Sequence, residues 1–545
     1  MRITLAQLNY HIGNFESNFE KISKAVEKAV AEKADLVVFP ELAVCGYPPR
    51  DFLEFEDFID KCRNTINKIA AQSGDIGIII GAPTKNPRLE GKDLFNSALF
   101  LADGQVKHVV NKALLPTYDI FDEFRYFEPG SSFDVIEWKG VRIALSICED
   151  LWNINDNPMY TICPMDEMIK SDPDIIINIS ASPFDHSHAR ERIDLLKANS
   201  KKYELPVFYV NHVGSQTEII FDGGSLVLNQ HAAVVDELPY FEEEIRTYEL
   251  DDVKASSSEI NNELEKDKIK LIHDGLILGI SDYFSKMGFE TAILGLSGGI
   301  DSSVTLALAA EALGKENVRA IMLPSAFSSE HSISDSEQLV ANLGVKSEKI
   351  PINELYKTFL EELKPFFDGM EFNIAEENIQ ARSRAIILMA LANKFNYILL
   401  NTTNKSEMAV GYGTLYGDLS GGLSVLGDVY KTQIYELAKY INRENEIIPA
   451  AIIDKEPSAE LKPDQKDSDS LPEYKELDQI LEAYIEDRKS PNDLKVMGFD
   501  EALVDQVMQL VNVNEYKRYQ TAPVLRVSPK AFGMGRRMPI VAKYL

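Results

Sequence analysis

The segment TAILGLSGGIDSSVTLALAAEALG, residues 291–314, restricts the possible folds of this chain more than any other. An apolar run typical of a buried strand leads into a turn of Gly and Ser residues, and an apolar helical pattern follows at once. Glycines let the backbone approach an anion closely, while serine hydroxyls and the helix N-terminus supply donors. The turn lacks the GK[ST] ending of a Walker A loop, and Asp301 would repel phosphate but suits a magnesium ligand. The segment predicts a phosphate-binding loop in an α/β domain.

Further strand-like runs follow this loop, separated by helical patterns: VRAIMLPS, SEKIPI and YILLNTTN. This alternation predicts a mostly parallel, doubly wound sheet, in which ligands bind beyond the carboxyl ends of the strands. The polar segment 454–472 is rich in Pro and Asp, which is typical either of a mobile active-site loop or of disordered surface.

The first half of the chain has many short strand-like runs and fewer helical patterns, the latter at 18–32 and 188–203. The strand-like runs are RITLAQL, DLVVF, IGIIIGAP, NSALFL, VRIALSI, DIIINIS, PVFYVN and SLVLN. This pattern predicts a layered α/β sandwich in which helices cover two packed sheets. An acidic, polar stretch from Glu237 to Glu265 is read as the region of an inter-domain linker. A chain of 545 residues is too long to fold around a single hydrophobic core. We therefore expect one domain at 1–250, a linker at 251–262 and a second domain at 263–545.

The formal net charge is −30, from 86 acidic and 56 basic residues. A surface of this kind repels nucleic-acid backbones and anionic membranes, so we expect neither as a partner. No apolar run approaches the roughly 20 residues of a membrane span, and the N-terminus lacks the pattern of a signal peptide. Four cysteines without CxxC spacing, Cys45, Cys62, Cys148 and Cys163, disfavour disulfides and structural zinc. We therefore expect a cytoplasmic protein.

Three chemically useful residues stand where strands of the first half end. Cys148 closes the run VRIALSI, Glu41 ends DLVVFPE, and Lys112 follows QVKHVVN. A carboxylate can take the thiol proton, the thiolate can attack an amide carbonyl, and an ammonium group can stabilise the thiolate and the oxyanion. Together the three residues predict an amide-hydrolysing site that releases ammonia.

The sequence segments around these residues, FPEL, NKALLP and CEDLW in that order, resemble those of the nitrilase superfamily with its Glu-Lys-Cys triad. The resemblance covers about the first 250 residues. It implies that Glu41 is the general base, Lys112 the oxyanion stabiliser and Cys148 the nucleophile, and that Glu123 in FDEFRYF is an orienting carboxylate.

The Gly-rich loop is similar to that of the PP-loop ATP pyrophosphatases, which include GMP, asparagine and NAD synthetases. Segments further along resemble NAD synthetase, namely EENIQARSR, NTTNKSEMAVGYGTLYGDLSGG, GDVYKTQIYELA, EPSAELKPDQKDSDSLPEY and RVSPKAFGMGRRMPI. Combined with a nitrilase-like first half, they resemble the glutamine-dependent NAD⁺ synthetases over nearly the whole chain. GMP and asparagine synthetases are similar only in the second half.

This resemblance implies a reaction of nicotinic acid adenine dinucleotide, ATP and glutamine that gives NAD⁺, AMP, pyrophosphate and glutamate through an adenylate. ATP is a substrate, Mg²⁺ the metal, and the only partners are these small molecules and further copies of the chain in a homo-oligomer. An internal tunnel would carry ammonia between the two sites. The implied fold is a nitrilase-like α-β-β-α sandwich followed by a doubly wound, Rossmann-like parallel sheet.

The resemblance also implies roles for particular residues of the second half. Asp301 and Glu407 would hold magnesium. The residues implied at ATP are Gly295, Leu296, Ser297, Gly298, Gly299, Ile300, Asp301, Ser302, Ser303, Thr402 and Lys431. Those implied at the dinucleotide substrate are Asn378, Arg382, Glu407, Asp418 and Lys517.

The glutamine contacts match the family less well. Tyr118 in LPTYD and Ser182 in SASPF fit the pattern, but His188 stands where the family usually has Lys or Arg. A neutral imidazole holds a carboxylate less firmly than a fixed cation. Either His188 is protonated, or Arg190 or Arg192 takes its place, or glutamine binds less tightly.

Two rival functions remain open at this point. One is a different PP-loop amidotransferase that acts on another acid, which the SGGIDSS loop permits but the segments EPSAEL and RVSPKAFGMGRRMP disfavour. The other is an ammonia-dependent synthetase whose N-terminal domain is an inert assembly module; the complete set of Glu41, Lys112 and Cys148 disfavours it, whereas His188 leaves it open.

Overall fold

The structure is a computed structural model that describes residues 1–154, 159–257, 259, 267–462 and 465–543. The chain divides into two compact units, Met1–Lys266 and Asp267–Leu545. Among the described helices, none is both long enough and apolar enough to cross a membrane.

The strands of the first unit are numbered along the chain. They are β1 (Arg2–Gln7), β2 (Leu36–Val38), β3 (Gly77–Lys85), β4 (Leu94–Ala102), β5 (Gln105–Asn111), β6 (Ile136–Trp138), β7 (Val141–Ile147), β8 (Ile175–Ile179), β9 (Val207–Val210), β10 (Val213–Gln216), β11 (Ile219–Asp222), β12 (Leu226–Leu228), β13 (Val234–Glu237) and β14 (Glu244–Glu249). The helices are α1 (Phe15–Ala31), α2 (Glu56–Ala70), α3 (Glu123–Tyr126), α4 (Pro164–Met168), α5 (His188–Tyr203) and α6 (Leu250–Ala255), with 3-10 turns at Arg50–Glu54, Cys148–Leu151 and Ile169–Ser171.

These strands form two six-stranded sheets with the orders β14-β1-β2-β3-β4-β5 and β13-β12-β9-β8-β7-β6. Leu5 and Ile79 of the first sheet and Leu145 and Ile177 of the second are buried in one cluster, so the sheets pack face to face. Helices α1 and α2 pack on the outer face of the first sheet, and α4 and α5 on that of the second. The predicted α-β-β-α sandwich is confirmed. Strands covered on both faces read as continuous apolar runs, which is why they stood out in the sequence.

Part of the acidic stretch read as a linker is regular structure instead. Strand β14 pairs antiparallel with β1, from Arg2 opposite Glu249 to Gln7 opposite Glu244, and α6 follows it. Its polar residues fit an edge strand, where one side of the ladder faces solvent. The reading of 237–265 as linker was therefore wrong for residues 244–255, which form β14 and α6. Of the predicted linker 251–262, residues 258 and 260–262 lie outside the described part.

The strands of the second unit are β15 (Ala292–Gly295), β16 (Val318–Met322), β17 (Lys346–Lys349), β18 (Ile398–Asn401) and β19 (Leu423–Ser424). Its helices are α7 (Lys268–Met287), α8 (Ile300–Leu313), α9 (Glu330–Leu343), α10 (Asn353–Phe367), α11 (Ile374–Phe395), α12 (Lys405–Val410), α13 (Lys431–Ile441), α14 (Ala450–Asp454), α15 (Tyr474–Ile485), α16 (Pro491–Val496), α17 (Glu501–Val513) and α18 (Glu515–Arg518), with 3-10 turns at Lys315–Asn317 and Asp467–Asp469.

The sheet of the second unit has the order β17-β16-β15-β18-β19, and all its neighbouring strands run parallel. The predicted doubly wound sheet is confirmed. The chain order reverses between β15 and β18, and a crevice opens beyond the carboxyl ends of strands at such a point. The Gly-rich turn leaves β15 and the segment from Thr402 leaves β18, so both reach this end of the sheet.

The described part of segment 454–472 is held by side-chain contacts. The Ser329 hydroxyl, at the start of α9, donates to Glu460 Oε1 at 3.0 Å. The Tyr474 hydroxyl donates to Asp467 Oδ2 at 2.9 Å. Residues 463 and 464 lie outside the described part. The segment is therefore anchored at two carboxylates, which neither reading of its composition anticipated.

Candidate active sites

In the first unit, the residues predicted at strand ends come together. Lys112 follows β5 directly, and its Nζ lies 2.7 Å from Glu41 Oε1 and 2.8 Å from Glu123 Oε1. The Lys112 side chain is fully buried, and those of Glu41 and Glu123 are almost so. Burial alone would lower the pKa of Lys112, but the charges of Glu123 and Glu41 outweigh it and raise that pKa. Lys112 is thus a fixed cation between two carboxylates.

Such a buried ion cluster is poorly explained by folding energy, because the cost of desolvating the charges offsets most of their attraction. Burial raises the pKa of Glu123 against the opposing charge of Lys112. The cluster concentrates charge at a place where a fold alone would place apolar side chains, which favours a chemical role.

Cys148 lies directly after β7, in the first position of the 3-10 turn, with a left-handed φ of 43°. Strained backbone of this kind is common at functional sites. The thiol is buried, and burial and the negative charge of Glu41 raise its pKa while Lys112 opposes them. Cys148 therefore needs a base to become a thiolate, and the charges that act on it are those of the predicted triad.

Three residues that hold this cluster were missed by the sequence analysis. Asn96 Nδ2 donates to Glu41 Oε1 at 2.7 Å and to Glu123 Oε2 at 3.2 Å. The Tyr47 hydroxyl donates to Glu123 Oε1 at 2.9 Å. Asp150, two residues after Cys148, accepts from the backbone amides of residues 113, 114 and 147, at 3.0, 2.9 and 3.2 Å. Asp150 thereby ties the Cys148 turn to the segment after Lys112.

Glu149, directly after Cys148, is a further buried carboxylate, and its described hydrogen-bond partners are neutral. Glu149 accepts from the Tyr118 hydroxyl at 3.0 Å and from the Tyr160 hydroxyl at 2.9 Å. Burial raises the pKa of Glu149. The structure thus brings Tyr118, a predicted glutamine contact, to Glu149, which the sequence analysis did not single out although it lies in the quoted segment CEDLW.

Ser182 and His188 also come together, as their predicted shared role requires. Ser182 Oγ lies 2.9 Å from His188 Nε2. The His188 imidazole stacks on the Trp152 ring, with the ring centroids 5.2 Å apart and an interplanar angle of 4°. Arg192 forms a buried two-point ion pair with Asp222, so its guanidinium is already engaged. Of the alternatives for the basic position, this arrangement favours His188 over Arg192.

In the second unit, the SGGIDSS turn has the form of an anion-binding loop. Gly298 has a φ of +82°, and a Cβ there would lie 2.4 Å from the carbonyl oxygen of Ser332. Ser303 Oγ donates to the Gly299 carbonyl at 2.8 Å, and Ser297 Oγ lies 3.1 Å from Ser302 Oγ. The loop opens α8 at its N-terminus, where backbone amides are available to an anion.

The two predicted magnesium ligands converge on one lysine. Lys431 Nζ lies 2.6 Å from Asp301 Oδ2 and 3.4 Å from Glu407 Oε1. Burial and the charge of Asp301 raise the pKa of Glu407 to about 8. Asn404, missed by the sequence analysis, donates from Nδ2 to Asp301 Oδ1 at 3.0 Å and accepts from the Glu407 amide at 2.9 Å. The Asn404 side chain therefore orients the Asp301 carboxylate and fixes the backbone of Glu407.

The residues predicted at the dinucleotide lie around one loop, 411–418. Thr414 donates from its hydroxyl to Asn378 Oδ1 at 2.6 Å and from its amide to Asp418 Oδ1 at 2.9 Å. Arg382 Nε donates to the carbonyl of residue 415 at 3.2 Å, and Lys517 Nζ donates to that of residue 411 at 2.7 Å. Burial lowers the pKa of Lys517. Four predicted residues thus contact or belong to one loop, while Thr402 stands directly after β18.

Comparison with known proteins gives a family for each unit. The carbon-nitrogen hydrolase family model matches residues 2–257, and the NAD synthase model matches residues 272–521. The chain is 43% identical to the glutamine-dependent NAD(+) synthetase of Synechocystis sp. over 99% of both chains. It is 39% identical to that of Thermotoga maritima over 100% of this chain and 99% of the relative.

The chain belongs to the glutamine-dependent NAD(+) synthetase family. Among solved structures, the ADP complex of the Acinetobacter baumannii synthetase is 38% identical, with a TM-score of 0.77 over 99% of this chain and 98% of that one. Membership of this family excludes the rival in which a similar loop serves another acid. The buried Glu41–Lys112–Glu123 cluster lies in the unit that matches carbon-nitrogen hydrolases, and the Gly-rich loop lies in the unit that matches NAD synthases.

Proposed function

We propose that the first unit hydrolyses the side-chain amide of glutamine and releases ammonia. The second unit uses this ammonia, together with ATP, to convert nicotinic acid adenine dinucleotide into NAD⁺. The observation that carries this division is the buried Glu41–Lys112–Glu123 cluster beside Cys148 in the first unit. The chain is a glutamine-dependent carbon–nitrogen ligase by family; which residues perform each step is our proposal.

In the glutaminase step, Glu41 takes the proton of the Cys148 thiol, whose raised pKa makes a base necessary. The thiolate attacks the glutamine amide, and Lys112 stabilises the oxyanion that forms. Glu41 then protonates the leaving nitrogen, and water, activated by the same carboxylate, hydrolyses the thioester to glutamate. Glu123, Asn96 and Tyr47 hold the base and the cation in place.

Free glutamine carries an α-ammonium group and an α-carboxylate group, so its site needs a negatively charged partner for the first and hydrogen-bond donors for the second. Glu149 is a buried carboxylate whose described hydrogen-bond donors are neutral hydroxyls, so it suits the α-ammonium group. Ser182 and His188 suit the α-carboxylate; both can donate hydrogen bonds, and a protonated imidazole would add charge.

In the synthetase step, the substrate carboxylate attacks the α-phosphate of ATP, and pyrophosphate leaves. Ammonia then attacks the acyl adenylate, and AMP leaves. The amides and hydroxyls of the SGGIDSS loop hold the phosphates, and Lys431 neutralises part of their charge. The ADP-bound Acinetobacter baumannii relative supports a nucleotide site in this unit.

Asp301 and Glu407 fit a magnesium ion. Their oxygens converge on one cation, Lys431 Nζ, and among the described residues no three acidic, His or Cys side chains form a complete metal group. Mg²⁺ is commonly bound by one or two carboxylates together with substrate phosphates. When bound, it would neutralise charge on the phosphates. A homo-oligomer is supported by exposed apolar side chains at the end of α10 and just after it, where Phe366 is 74% and Met370 70% exposed.

Product stoichiometry tests the proposal. With the purified chain, nicotinic acid adenine dinucleotide, MgATP and glutamine, we expect equal amounts of NAD⁺, AMP, pyrophosphate and glutamate, measured by chromatography. Release of ADP and phosphate would contradict the adenylate route. Glutamate without NAD⁺ would leave only the first half of the proposal standing.

A further inference from the structure

The amide of Asn211 clasps the backbone of Ser182. Asn211 follows β9 and Ser182 follows β8, and these strands are parallel neighbours in which Ile179 lies opposite Val210. The Ser182 amide donates to Asn211 Oδ1 at 2.8 Å, and Asn211 Nδ2 donates to the Ser182 carbonyl at 3.1 Å. The side chain thus bonds both polar groups of one residue. Asn211 is fully buried, so water does not compete for these two hydrogen bonds.

A buried ion pair fixes which way the Asn211 amide points. Asn211 Nδ2 donates to Asp222 Oδ1 at 3.3 Å and to the Gly223 carbonyl at 3.1 Å. Arg192 holds both oxygens of Asp222, at 3.0 and 2.9 Å. Acceptors on one side and a donor on the other leave one orientation of the amide satisfied. The Arg192–Asp222 pair, which the proposed chemistry does not use, therefore acts on Ser182 through Asn211.

The clasped residue belongs to both parts of the glutaminase site. Its hydroxyl lies 2.9 Å from His188 Nε2. The preceding residue, Ala181, donates its amide to Glu41 Oε2 at 3.0 Å, so the same short segment also touches the catalytic base. A displacement of Ser182 would move the hydroxyl away from its proposed place at the glutamine carboxylate.

We propose that Asn211 is a positioning residue for glutamine binding, which sets the Ser182 hydroxyl and is itself oriented by the Arg192–Asp222 pair. This inference rests on the proposed glutaminase function of the first unit. A hydrogen bond to a charged group contributes enough binding free energy that its loss weakens the affinity roughly tenfold or more. Asn211 therefore governs the KM for glutamine more than the rate of the chemical step.

The test is a double-mutant cycle of Asn211→Ser and Ser182→Ala, read as the KM for glutamine in NAD⁺ formation. Each single variant is expected to raise that KM by roughly tenfold, while the double variant resembles either single one, because Asn211 acts through Ser182. Asn211→Asp keeps the shape of the side chain but loses its donors, and is expected to raise the KM at least as far as Asn211→Ser.

Two controls separate positioning from folding. Ammonium-supported NAD⁺ formation reports the second unit, and alkylation of Cys148 by iodoacetamide reports the nucleophile without needing the glutamine carboxylate; both are expected to match the wild type in Asn211→Ser. The inference would be overturned if the KM for glutamine were unchanged in Asn211→Ser. It would also be overturned if the two single-variant increases in KM multiplied in the double variant, or if Asn211→Ser lost Cys148 alkylation as strongly as glutamine binding. A wild type that makes NAD⁺ from ammonium but not from glutamine would instead overturn the proposed glutaminase function.

Discussion

At the scale of single residues, charge without a matching countercharge marks the substrate side of the first site. Lys112 forms ion pairs with Glu41 and Glu123, whereas Glu149 accepts only neutral hydroxyls among its described hydrogen bonds. A buried carboxylate is costly unless a partner compensates it. In this account the α-ammonium group of glutamine is that partner.

Replacing Glu149 with Gln tests this assignment. The variant keeps the size of the side chain and one accepting oxygen but removes the charge. A charged hydrogen bond is worth about 1.5–3 kcal/mol, so kcat/KM for glutamine should fall roughly ten- to hundred-fold. Ammonium-supported NAD⁺ formation should be unchanged. Glu137→Gln, on an exposed strand position of the same unit, is the matched control, and equal behaviour of the two variants would refute the role of Glu149.

Residue types at strand ends could be predicted, but their supporting partners could not. Glu41, Lys112 and Cys148 were found because their chemistries complement each other and the segments around them resemble the nitrilase superfamily. Asn96 lies inside β4, and its importance depends on two carboxylates that are 55 and 27 residues away in sequence. Asn211 does stand at a strand end, in PVFYVN, and the same rule applied to polar amides would have found it.

At the scale of elements, both sites lie where parallel strands end. Cys148 follows β7, Ser182 follows β8 and Asn211 follows β9, whereas the Gly-rich loop follows β15. The strand runs were predictable because burial on both faces leaves unbroken apolar stretches. Strand β14 was not, because its alternating polar residues resemble a linker until the pairing with β1 is known.

The Gly-rich loop gives a prediction with an internal control. Gly298 and Gly288 both have positive φ, +82° and +74°, but an added Cβ meets the Ser332 carbonyl oxygen at 2.4 Å only at Gly298; at Gly288 nothing lies within 4 Å. Ala at either position costs about 1–2 kcal/mol of backbone strain. Only Gly298→Ala should also displace the loop and raise the KM for ATP, by roughly tenfold or more.

The measurement is the KM for ATP in ammonium-supported NAD⁺ formation, with thermal unfolding recorded for both variants. Similar losses of stability with a changed KM in Gly298→Ala alone would support the phosphate-loop assignment. A KM shared by Gly298→Ala and Gly288→Ala would show that only strain matters at Gly298.

At the scale of the whole molecule, two chemistries share one chain of 545 residues. The fold of each half and the pairing of their functions could be inferred from sequence, since FPEL, CEDLW and SGGIDSS are local signals. The anchoring of segment 454–472 through Glu460 and Asp467 could not, because their partners Ser329 and Tyr412 are 131 and 55 residues away in sequence. Ammonia made at one site and used at the other is the central claim about the molecule.

The most direct test of that claim compares nitrogen sources in Cys148→Ala, with Cys163→Ala, a cysteine of the same unit, as the control. We predict that Cys148→Ala loses glutamine-supported NAD⁺ formation by at least about a thousand-fold and keeps ammonium-supported formation, while Cys163→Ala keeps both. Glutamine-supported NAD⁺ formation that survives in Cys148→Ala would contradict the account.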